Sequence, residues 1–152
     1  MLLLLALPPN DLEILYAAVD SACTGRCVLS QRTVFSGAGV PRSLYDYLLL
    51  RYADTTLTCT THVNVMDARV VYRKNLWRVE RIASFRALLS GCGSSKNVSG
   101  TYRDMVSPSD LDAVKVPEVS PSEEPRGGTL EVLISAAVVF GVLYAFYTIE
   151  GR

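Results

Sequence analysis

Apolar residues at Leu12, Leu15, Tyr16 and Val19 follow the spacing of a helix with one apolar face. Asn10 or Asp11 stands where a capping side chain belongs, so a helix is predicted from there to about Ala22. Thr24-Gly25 and Gly37-Ala38-Gly39 bracket Val28-Leu29 and Thr33-Val34-Phe35, which predicts two short strands joined by turns. Pro41 opens a second helix, with Ser43 as the alternative cap. Leu44, Tyr47, Leu48 and Arg51 share one of its faces, and Leu49, Leu50 and Tyr52 leave the rest unusually apolar. The period then changes to two. From Thr55 to Val65, Leu57, Cys59, Thr61, Val63 and Val65 fall on one face of a strand, and Thr58, Thr60, His62 and Asn64 on the other. Met66-Asp67-Ala68 predicts a turn into Arg69–Arg73, with Val70 and Tyr72 on one side, and hence a hairpin. Trp77 to Leu89 carries a helical spacing in Val79, Ile82, Arg86 and Leu89. Gly91 to Ser99 reads as a polar loop, and Ser107-Pro108-Ser109-Asp110 caps a short helical turn ending near Val114.

The pattern changes again at the end of the sequence. Pro117 to Gly128 has the composition of a linker, and about 12 flexible residues reach roughly 20 Å. Val132 to Ile149 is then uncharged, and a helix of about 18 residues covers roughly 27 Å, close to the hydrocarbon thickness of a bilayer. It shows no polar stripe, and Tyr144 and Tyr147 sit toward one end, where amphipathic rings favour the interface. The expected fold is α+β: a small compact sheet head with packed helices over 1–116, a disordered linker over 117–129, a single transmembrane helix over 130–149 and a short tail over 150–152. A span in that place predicts a tail anchor holding residues 1–128 on the cytoplasmic or nucleoplasmic side.

Composition narrows the function. Acidic and basic residues balance at 15 each, so no strong field points to nucleic acid. The opening Met1-Leu2-Leu3-Leu4-Leu5-Ala6-Leu7 lacks a basic leader and stops at Pro8-Pro9, short of a secretory signal. Were it one, the chain would be a type I surface or immune-evasion glycoprotein. Its four cysteines would then form disulfides and Asn97-Val98-Ser99 would carry a glycan. Without it, the leucines cover a core or a membrane face and the thiols stay reduced.

Chemistry has little to build on. The single histidine, His62, lies on the polar face of the expected strand. No nucleophile elbow, phosphate loop or carboxylate pair appears, so no enzyme and no cofactor are expected. Cys23-x3-Cys27 with Cys59-x2-His62 imitates a zinc set, but strand residues three apart point to opposite faces, so no metal is expected and Cys59 reads as a packed core thiol. Ser107, Ser120 and Ser122 are phosphorylation candidates, of which Ser120 and Ser122 lie in the linker. The segment Tyr45-Asp46-Tyr47-Leu48-Leu49-Leu50 offers an apolar wall with an acid-aromatic handle, the make-up of a helix-in-groove contact.

The order of these segments resembles the herpesvirus nuclear egress membrane protein, the tail-anchored half of the nuclear egress complex. In that family an N-terminal helix and short strands precede a helix bearing acid-Tyr-aliphatic-Leu, matched here by Asp46-Tyr47-Leu48-Leu49. A cysteine opens the next strand, as Cys59 does, and a valine-rich strand follows, like Val70-Val71. The later turn of the family is matched by Val106 to Lys115, with Asp110-Leu111-Asp112 at its centre. The chain departs at Asp67-Ala68-Arg69, where the family reads Asn-Thr-Gly, and in lacking further sheet and a C-terminal helix before the linker. The resemblance implies sheet over Trp77–Leu89. It also implies a head at the inner nuclear or endoplasmic reticulum membrane, where it binds a soluble nucleoplasmic partner and remodels the membrane for capsid budding. The partner groove would fall on Leu12, Leu15, Tyr16, Asp46, Tyr47 and Leu49, with Asp46 a polar contact and Tyr47 an aromatic anchor. Asn75-Leu76-Trp77 to Leu88 faintly resembles a Bcl-2 homology segment, but the two further helices of such a regulator are missing.

Overall fold

The computed structural model describes residues 7–119 and 137–139. It is a mixed α+β structure in which one four-stranded sheet carries its helices on one face. Helix α1 (Asp11–Cys23) starts at a reciprocal cap, in which Asn10 accepts from the Glu13 backbone N–H and the Glu13 carboxylate accepts from the Asn10 N–H. Strands β1 (Leu29–Ser30) and β2 (Thr33–Ser36) follow, then helix α2 (Arg42–Tyr52) and the two-residue β3 (Ala53–Asp54). Pro41 caps α2 without any side-chain bond, and the alternative cap, Ser43, has a buried hydroxyl with no partner among the described residues.

Three long strands complete the sheet: β4 (Thr61–Asn75), β5 (Arg78–Gly91) and β6 (Ser94–Val106). Their order is β2-β4-β5-β6, with β2 parallel to β4 and the other pairs antiparallel; β1 and β3 make a separate parallel pair. A two-residue turn at Leu76-Trp77 joins β4 to β5. After β6, a 3-10 turn at Pro108–Asp110 leads into the short helix α3 (Leu111–Val114), as the Ser107-Pro108 cap predicts.

Three expectations are corrected here. Met66-Asp67-Ala68 does not turn the chain. It holds a β-bulge, with Val65 opposite Ala87 and Asp67 opposite Arg86, so Met66 is the extra residue. The bulge moves the inward positions from Val63 and Val65 to Val70 and Tyr72, a break in period that imitates a turn. Gly91–Ser99 is a tight turn followed by the start of β6 rather than a loop. Residues 55–60 lie outside the strand, because Asp54 Oδ1 accepts from the Thr56 N–H and hydroxyl and fixes a turn there.

Helix α1 lies on β5 and β6 over a floor of small residues. A Cβ at Gly100 would stand 2.2 Å from the Ala18 carbonyl oxygen and 2.6 Å from the Ala22 nitrogen, so only glycine lets the helix sit this close. Ile14, Leu15, Ala18, Val19 and Ala22 are buried against Val70, Ala83, Phe85, Ala87 and Val98. Val119 donates its N–H to the Val116 carbonyl, and both valines pack on the core.

A buried charge cluster fixes the helix start. Tyr72, Arg81 and Asp104 form one row across β4, β5 and β6 on the helix-bearing face. Asp11, the first residue of α1, sits above them. Arg81 Nη1 donates to Asp11 Oδ1 at 3.1 Å, Nε donates to Asp104 Oδ1 at 2.9 Å, and Nη2 donates to the Pro9 carbonyl at 2.8 Å. The Tyr72 hydroxyl and the Val116 N–H both donate to Asp11 Oδ2. Arg81 and Asp11 are fully buried. Burial pulls the guanidinium pKa down, yet the bonds and charges of Asp104 and Asp11 leave it above its ordinary value.

Among the described residues no helix is long and apolar enough to cross a membrane. The expected span at 130–149 lies outside them, apart from the helical residues 137–139. Arg81→Met should cost about 3–5 kcal/mol, because two carboxylates lose their buried cation. Arg103→Gln, which removes an exposed partner 3.9 Å from Glu80, should stay within about 0.5 kcal/mol. Urea denaturation of both variants checks this, and equal losses would contradict the cluster's role.

Candidate partner-binding face

Helices α1 and α2 meet through tyrosines. The Tyr16 and Tyr47 rings stack with centroids 4.0 Å apart and planes 3° from parallel. The Tyr16 hydroxyl reaches the Ser43 carbonyl at 3.4 Å. Asp20, one turn beyond Tyr16, accepts from the Tyr47 hydroxyl at 2.9 Å and the Tyr52 hydroxyl at 2.5 Å, with Arg51 Nε 3.9 Å away. One carboxylate on α1 thus gathers three side chains of α2. Burial, then the bond to Asp20, pushes the Tyr47 hydroxyl up to about 12, and the same causes raise Tyr52.

The six expected partner residues divide. Tyr16 and Tyr47 are half-buried where the helices meet, Leu12 and Leu49 are half-buried elsewhere on α1 and α2, and Asp46 is exposed. Leu15 is fully buried in the core, where the helix turns it onto the sheet. Tyr47 is already engaged inside the chain, by its ring and by its hydroxyl. Leu50, which helical spacing put with the apolar remainder of α2, is 90 % exposed beside Asp46 and Leu49. Tyr45 turns the other way and stacks on Phe35 of β2 at 4.6 Å.

The cysteines require a further correction. Cys23 is bonded to Cys27 and Cys59 to Cys92, with Cα–Cα distances of 4.7 and 5.5 Å. No reduced thiol and no core-packed Cys59 remains. Cys59 precedes β4 and is half-buried, and its partner lies in the β5–β6 turn. Gly91 explains the pairing: a Cβ there would stand 2.3 Å from the Thr60 carbonyl oxygen, so the turn rests directly on this segment. His62 is exposed on the outer face of the sheet, between the inward Thr61 and Val63. Among the described residues no cluster of His, Cys, Asp or Glu could hold a metal ion.

A pocket of about 170 Å³ lies near the disulfides, lined by Arg26, Lys96, Ser90, Thr61, Leu29 and Leu89 among others. It is smaller than a typical small-molecule site and contains none of the expected partner residues. Ser120 and Ser122 lie outside the described residues.

No protein-family model, curated protein or solved structure matches the chain.

The tyrosine pair gives a pH-dependent outcome. An unfolded tyrosine ionises near 10.0 and folded Tyr47 near 12, so its stabilising contribution is complete below pH 10 and is lost as the pH climbs to about 12. Tyr47→Phe should therefore lessen the alkaline fall in the denaturation midpoint over that window. An unchanged alkaline slope would mean that Asp20 does not hold this hydroxyl in solution.

Proposed function

We propose that the chain is a non-enzymatic interaction protein of the nuclear egress kind. In this reading residues 130–149 hold it in the inner nuclear or endoplasmic reticulum membrane, and the α1–α2 face binds a soluble nucleoplasmic partner so that the membrane is remodelled for capsid budding. The resemblance in motif order supports the reading. The observation that carries it is the Tyr16–Tyr47 stack, which joins the two helices carrying the resembling residues. Beside the stack, Asp46 and Leu50 are exposed without serving the core. An acid next to an exposed aliphatic residue on a firm aromatic support offers a partner one polar and one apolar point of contact on a helix.

A second reading, a type I surface glycoprotein, has its own observation. All four cysteines of the sequence are paired, and Asn97 of the Asn97-Val98-Ser99 sequon is exposed on β6. Paired cysteines are typical of oxidising compartments and rare on the nucleoplasmic side.

Because Asp46 and Leu50 are exposed, Leu50→Asp and Asp46→Ala should leave the melting temperature unchanged. Each should weaken binding of the co-expressed soluble partner by about 1–3 kcal/mol, roughly 5- to 150-fold. The measurements are partner affinity and partner recruitment to the nuclear rim, and full recruitment by both variants would remove the basis for this face. The two readings separate in cells. The nucleoplasmic head should show no endoglycosidase-sensitive shift at Asn97, whereas a glycan together with four thiols blocked to alkylation would establish the surface glycoprotein.

A further inference from the structure

The β4–β5 hairpin ends in a feature that the partner face does not use. Trp77 is 85 % exposed and Leu76 is 61 % exposed, side by side at the two-residue tip. Arg73 and Lys74 lead into the tip and Arg78 leads out, each exposed. Within the described residues neither Arg73 nor Arg78 has an ion-pair partner. Two large apolar side chains are thus held in water at a convex point, ringed by cations. Two apolar residues are too few to form a core. A bilayer interface needs no complementary pocket. It accepts an indole at headgroup level, buries a leucine just below it and attracts each nearby cation when its lipids are anionic.

The position of the tip points the same way. The row Tyr72–Arg81–Asp104 lies within a few residues of it, and both ends of the described head meet that row. The Pro9 carbonyl is bonded to Arg81, and the Val116 N–H to Asp11. Leu7, 82 % exposed, lies two residues before Pro9. Val116, near the last described residue of the head, therefore lies toward the same end of the sheet as Leu76 and Trp77.

We infer that the Leu76-Trp77 tip, with Arg73 and Arg78, is a membrane-contact site that inserts into the interface of a bilayer containing anionic lipid and orients the head upon it. The inference borrows the membrane attachment proposed above only for the nearness of the bilayer; the tip's chemistry stands independently.

Trp77 is the single tryptophan of the chain, so its fluorescence reports on the tip alone. The full chain is reconstituted in vesicles of phosphatidylcholine with or without phosphatidylserine. The expected result is a blue-shifted Trp77 emission in the anionic vesicles, quenched by lipids brominated in the upper acyl chain. Leu76→Asp should abolish the quenching. Arg73→Gln and Arg78→Gln should each weaken its dependence on phosphatidylserine by about fivefold. Resistance to alkaline carbonate extraction measures the anchor separately. A chain that resists extraction while Trp77 keeps a water-exposed emission overturns the tip and leaves the anchor standing. A chain that is extracted, yet whose Trp77 is quenched in anionic vesicles, upholds the tip and removes the anchor. Burial of Trp77 only on addition of the soluble partner, without lipid, would make the tip a protein contact and overturn the inference.

Discussion

Arg81 is the residue on which the rest of the fold depends. A guanidinium sealed from water is tolerated only where carboxylates and carbonyls replace its hydration, and Asp11, Asp104 and Pro9 do so from three separate segments. Each bond therefore constrains a different part of the chain: the N-terminal approach, the start of α1 and strand β6. Asp11 contributes twice, because a carboxylate in the first turn of a helix also meets the positive end of the helix dipole. Tyr72 brings β4 into the same cluster and Val116 the segment that follows α3.

With its first turn fixed, α1 has one direction in which to run, and Gly100 lets it descend onto the strands below. Helix α2 is held differently. Apart from Leu44, Leu48 and the stack of Tyr45 on Phe35, it is attached through tyrosines that reach Asp20 and Tyr16 on α1. The exposed side of the paired helices thus inherits its geometry from the charge cluster. A substitution at Asp11 or Arg81 would disturb a surface that neither residue touches.

Much of this was legible in the chain. The cap at Asn10, Pro41 before α2 and Ser107-Pro108 before the last turn are local signals, and local physics placed them. The alternation at Thr61, Val63 and Val65 also survived, as did Val70 and Tyr72, because a half-buried strand needs period two. The remainder depended on distant residues. Arg81 sits in a stretch with helical spacing and resembles any surface arginine until Asp11 and Asp104 surround it. Met66 disturbs the period just as a turn would, and only its partner strand shows the continuation. Cys59 lies 33 residues from Cys92, a pairing set by the turn that rests on Thr60. On the candidate face, residues of the two helices were grouped by the resemblance, and helical spacing assigned only the faces of each. Spacing could not show that Leu50 is turned out of the core, since α2 is apolar on more than one side, nor that Leu15, on the single apolar face of α1, is wholly enclosed.

The Cys59–Cys92 bond has one more effect. The exposed hairpin tip at Leu76-Trp77 lies between the two bonded cysteines, and Arg78 follows it as a basic residue that a trypsin-like protease could cleave after. A cut there would open the backbone without dividing the molecule. Both fragments would stay joined by sulfur, and β4 and β5 would remain paired along their length. A cleavage point at the exposed tip is thus spanned by a covalent bridge, and the nicked chain would come apart only on reduction.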